Sequence, residues 1–142
     1  MVDVVADTSS LECSKMGSIT GRVFLRGPTG EFPGRGWSDF PVVILAWWIE
    51  GLADVITGKN RSFEGLFMDG PYAFIVERGV GTSGRLAWGH RGQEASVGIL
   101  DIAAFLRSAV DAGQQVADAC RAHHWTSRDL DTLERAVARS AV

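Results

Sequence analysis

The sequence predicts an α+β fold, an antiparallel sheet of about five to six strands packed against one buried helix and two C-terminal helices. Three observations predict it. Residues 62–100 alternate apolar and polar side chains between short turns, as an antiparallel meander does. Residues 40–49 form an uncharged run that is apolar on every side, as a buried helix is. From Asp101 onward, apolar residues recur at three- and four-residue steps, which is the period of an amphipathic helix.

Taken in order, residues 1–9 show no periodic pattern and are expected to fray or stay disordered. Residues 11–26 suggest two short strands around Lys15-Met16-Gly17, the second over 19–25. Residues 27–36 hold Pro28, Gly30, Pro33, Gly34 and Gly36, which is turn chemistry. Ser38 is the expected N-cap of the buried helix, with Asp39 and Pro41 in its first turn and Gly58 just beyond its end. β-branched Val42, Val43 and Ile44 suit a strand as well, but length and end signals favour a helix over 38–57.

Strands are expected over 62–68 and 72–78, joined at Asp69-Gly70-Pro71, then over 85–91 and, shorter, 95–100. In the third, Leu86, Trp88 and His90 share one face. Asp101 is the expected cap of a helix whose apolar stripe runs from Ile102 to Cys120. Thr126-Ser-Arg-Asp129 resembles a capping box and opens a last helix carrying Leu130, Leu133 and Val137. The 142 residues fit one domain.

Composition narrows the function classes. With 46% hydrophobic and 22% charged residues, the chain has the balance of a globular protein. Its net charge is −3, and its twelve Arg and two Lys are scattered singly, so no basic stripe for nucleic acid is expected. The apolar run at 40–49 is about half a membrane span, so no membrane insertion is expected. The N-terminus carries Asp3 where a secretory signal needs basic residues. Cys13 and Cys120 lie far apart in sequence and are expected to be free thiols, which suits a cytoplasmic protein.

No catalytic, metal or cofactor motif survives its context. Gly79-Val-Gly-Thr-Ser-Gly84 fits GxGxxG, but the following Arg85-Leu-Ala-Trp88 has strand character and supplies no helix N-terminus for a pyrophosphate. Cys120, His123, His124 and Asp129 are metal-ligating types, yet only Cys120 and His124 share a helix face, short of the three or four ligands zinc needs. Glu64 and Glu77 fall on adjacent strands, where solvated charge is the simpler explanation. No enzyme activity, no metal and no cofactor is therefore expected.

The five tryptophans are the most distinctive feature. Trp47 and Trp48 are neighbours on a helix and point about 100° apart, so both cannot face the same partner; one is expected in the core, with the other capping it or anchoring a partner. The loop 32–41 combines aromatics, Arg35 and several glycines. Phe32, Arg35, Trp37, Asp39 and Trp48 are the candidates for a partner contact, because Trp and Arg dominate binding hot spots. A small-molecule pocket lined by Trp48, Tyr72, Trp88 and His90 is the alternative. Self-association through the helix over 101–123 or an open sheet edge, giving a homodimer or accessory subunit, is a third.

Phe32-Pro-x-x-Gly-Trp-Ser-Asp-Phe-Pro41, Trp47-Trp48, Phe67-Met-Asp-Gly-Pro-Tyr72 and Ala119-Cys-Arg-Ala-His-His-Trp-Thr-Ser-Arg-Asp-Leu-Asp131 together resemble small, mostly uncharacterised bacterial proteins. In size and build these are similar to immunity proteins of polymorphic toxin systems. The resemblance implies a protein that binds a cognate toxin and blocks its active site without doing chemistry. It spans residues 32–137, implies no active-site residue, and leaves 1–31 unmatched.

Overall fold

The apolar run at 40–49 forms the first half of helix α1 (Pro41–Ile56), the element that joins the other helices to the sheets. The computed structural model describes residues 1–140. Nine side chains of α1 are buried, Trp48, Ile49 and Leu52 among them, and this burial overrides the strand preference of its β-branched residues. Proline at the first helical position forfeits no intrahelical bond. Thr57 ends the helix and Gly58 takes the left-handed conformation after it, at φ +82°. Ser38 is not the cap. Ser38 and Asp39 pair instead with Arg22 and Gly21, and Phe40 precedes the first turn without any side-chain cap.

Among the described residues nine strands form two antiparallel sheets, where one sheet of five to six strands was expected. In the first, β3 (Ile19–Gly27) is the partner of β1 (Asp3–Ala6), β2 (Glu12–Cys13), β4 (Gly30–Phe32) and β5 (Ser38–Asp39). Residues 1–9 are thus not frayed as expected. Val4 lies opposite Leu25, its N–H donates to Ser108 Oγ at 3.0 Å, and a 3-10 turn capped by Asp7 follows at Thr8–Ser10. A strand of four residues is too short to show a period, and its partner lies some twenty residues away. β4 likewise emerges from the stretch expected to be all turn.

The second sheet is the expected meander, β6 (Ser62–Leu66), β7 (Tyr72–Arg78), β8 (Ser83–His90) and β9 (Ala95–Asp101), paired in sequence order. Its register puts Phe74, Val76, Leu86 and Trp88 on the inner face and Glu64, Ile75, Glu77, Arg85 and Ile99 on the outer one. Gly51 on α1 lets β6 approach closely, since a Cβ there would fall 2.0 Å from the Phe63 ring.

α2 (Ile102–Ala122) starts as expected, with the Asp101 carboxylate accepting from the N–H groups of Ala103 and Ala104 at 3.0 and 3.4 Å. α3 (Arg128–Ser140) is capped by Ser127, whose Oγ accepts from Leu130 N–H at 3.1 Å, one residue later than a Thr126 cap implies. Leu130, Leu133, Ala136 and Val137 turn inward and close the core over α1 and α2. Among the described residues no helix is long and apolar enough to cross a membrane.

Candidate binding site

The aromatic loop and the meander meet in a cluster of interlocking rings. Phe32 stacks on Trp88 with centroids 4.9 Å apart and planes within 3°. Tyr72 sets its edge against Trp37 at 5.3 Å and Phe32 at 6.0 Å. Phe67 lies 5.7 Å from Phe32 and 5.0 Å from Trp48, which in turn packs on Phe74 at 5.1 Å. Such edge and offset contacts are the favoured aromatic geometries. The space where Trp48, Tyr72, Trp88 and His90 were expected to line a pocket is therefore filled by the protein's own rings. Trp48 is fully buried and donates its indole N–H to the Leu66 carbonyl at 3.0 Å. His90 is exposed at the strand's end, beside Tyr72.

Asp39 organises this cluster. It is 2% exposed, and its carboxylate accepts four hydrogen bonds. Oδ1 accepts from the N–H groups of Phe40 and Met68 at 2.8 and 3.1 Å; Oδ2 accepts from Trp37 Nε1 at 3.0 Å and Asp69 N–H at 3.2 Å. Burying a carboxylate without a cation is costly, and four charge-assisted bonds offset that cost. The two motifs Trp-Ser-Asp-Phe and Phe-Met-Asp-Gly are thus halves of one clamp.

Of the five partner-contact candidates, only Arg35 is exposed. Phe32, Asp39 and Trp48 are buried and Trp37 is half-buried, so these side chains hold the fold together. The loop is fixed along its length: the Trp37 carbonyl accepts from Val23 N–H at 2.9 Å, and Glu31 Oε1 accepts from Gly36 N–H at 3.0 Å.

Large apolar side chains reach solvent elsewhere. Trp47 is 45% exposed, which settles which of the adjacent tryptophans faces outward. Val43 stands one turn before it on the same face of α1. Val43 and Phe40 line a cleft of about 320 Å³ together with Met16, Ile19, Met68 and Asp129. Met16 is almost wholly exposed and Met68 about half. Sequence reasoning passed over these residues because the helix's first half is apolar all round. Only the wheel positions of Val43, Trp47, Glu50 and Asp54, with two charges on one stripe, hinted at a solvent face.

The remaining polar clusters do not converge. Among the described residues no three His, Cys, Asp or Glu side chains gather as a metal site. His123 stacks on Trp125 at 4.3 Å at the end of α2, and His124 takes φ 61° there. Cys120 is buried, and that burial, with Cys13 as the second cause, pushes its thiol up; both cysteines are free. Glu64 and Glu77 sit diagonally on the outer face, not opposite each other, and Glu64 pairs with Arg91 at 3.5 Å. The Gly79–Gly84 segment joins two antiparallel strands. No protein-family model, curated protein or solved structure matches the chain.

Proposed function

We propose that this chain is a non-enzymatic binding protein, an immunity protein that neutralises a cognate bacterial toxin by covering its active site. The observation that carries this reading is the apolar surface around Met16, Phe40, Val43, Trp47 and Met68. Exposed apolar patches with polar rims mark protein interfaces, and Trp and Met are favoured in them. A complex of ordinary size would bury about 1,200–2,000 Å² in total.

The test uses the products of the adjacent genes, among which this reading requires a toxin domain. Mixing the purified proteins gives a stable complex and suppresses the toxin's activity; Trp47→Ala with Met68→Ala weakens affinity roughly tenfold or more. No complex with the neighbouring product removes the immunity role. An unchanged affinity in the double variant moves the interface off this surface.

One observation favours a second reading, self-association as an accessory subunit. Among the described residues β9 pairs with β8 alone, so its other edge is open to a second copy, and Ile99 on the adjoining outer face is 80% exposed. A monomer at all concentrations in size-exclusion chromatography eliminates it.

A further inference from the structure

At the end of the second sheet a cleft of about 290 Å³ is lined by Gly58, Asn60, Arg61, Arg78 and Gly79. Arg78 N–H donates to the Arg61 carbonyl at 3.0 Å, one step beyond the Ser62–Glu77 pair, so the two arginines lie opposite each other across β6 and β7. Like charges directly opposite in a ladder repel. Among the described residues, neither arginine nor nearby Lys59 makes an ion pair. The neighbouring acids do not compensate them. Asp54 lines a separate cleft with Lys59, and Glu77 points to the opposite face of β7 from Arg78.

The Arg78 guanidinium is held from behind. Its Nη1 donates to the Val55 and Ile56 carbonyls at 2.9 and 3.1 Å, and its Nε to the Gly81 carbonyl at 3.0 Å. These bonds satisfy the last carbonyls of α1 and leave Nη2 without a partner among the described residues. A guanidinium already locked in place loses little freedom when it binds, and its fork matches an oxyanion.

We propose that Arg61 and Arg78 form an oxyanion site that takes one carboxylate or phosphate group. Arg78 supplies a fixed donor, Arg61 closes over the ligand from the opposite strand, and the anion relieves the repulsion between them. Gly79 opens the GxGxxG segment, yet recognition here comes from guanidinium groups and not from a helix N-terminus. The site is independent of the apolar surface and of the toxin partner.

Thermal denaturation of the full chain tests this, with sodium chloride replaced by sodium phosphate or by sodium acetate at constant ionic strength. A saturable rise in Tm is expected with at least one anion. The Arg61 side chain makes no hydrogen bond among the described residues, and Arg61→Gln weakens the apparent affinity roughly tenfold or more. A response to phosphate alone assigns a phosphate ligand; a response to acetate assigns a carboxylate. No saturable rise, or an equal one in Arg61→Gln, overturns the proposal.

Discussion

The loop at 32–41 and the surface around Trp47 are both rich in large apolar side chains, and they do opposite things. In the loop, Phe32 and Trp37 lean on Tyr72, Trp88 and Phe67 while Asp39 ties the backbone to the turn after β6. At the surface, Trp47, Met16 and Met68 touch less of the protein and stay in water. The aromatic and glycine-rich pattern that stands out in the sequence is a packing device. The large side chains left exposed are ordinary ones at ordinary positions. A conspicuous motif can mark a difficult piece of folding as well as a function.

Substitutions can break this contrast. Trp48→Ala, inside the filled cluster, removes a fully buried ring and its hydrogen bond, and unfolding by urea is expected to show a loss of about 3–5 kcal/mol. Asp39→Asn turns an amide toward N–H donors and loses about 2–4 kcal/mol by the same measurement. A loss of only a few tenths in either variant means that the loop is not the structural clamp described here.

Smaller effects sharpen it. Arg121 bonds Glu134 and holds that carboxyl below its ordinary value of 4.5. A lowered folded-state value stabilises the fold above 4.5, and the contribution fades as pH falls through the lowered value. The pair is exposed and screened by solvent, so Glu134→Gln should lower stability only slightly at neutral pH and not at pH 2–3. Trp47→Ala is expected to change stability least, within about 0.5 kcal/mol, while still weakening any complex made through this face. If Trp47→Ala unfolds the protein, the surface and the core are not separable.

Much of the fold was legible because it is local. The α1 and α2 stripes, the Asp101 cap, the Gly58 stop and the β7 limits follow from periods and end signals within a few residues. What was not legible depends on distant partners. β1 needs β3, the division into two sheets needs the intervening helix, and Asp39 looks like a helix-capping neighbour until Met68 and Asp69 offer their N–H groups. The candidate site suffered most, since composition identifies aromatic residues but not which of them another ring will cover. Trp47 and Trp48 are identical in type and adjacent in sequence, and only the packing of α1 against β6 separates them.

The Asp39 clamp also bears on how the molecule opens. One carboxylate holds donors from segments about thirty residues apart, one leading out of the first sheet and one in the turn of the second. Neither segment can lift away without stripping a buried charge of half its bonds. Local opening is therefore shared: the amides of Met68 and Asp69 become accessible in the same event, and the two sheets melt at this corner as one cooperative unit.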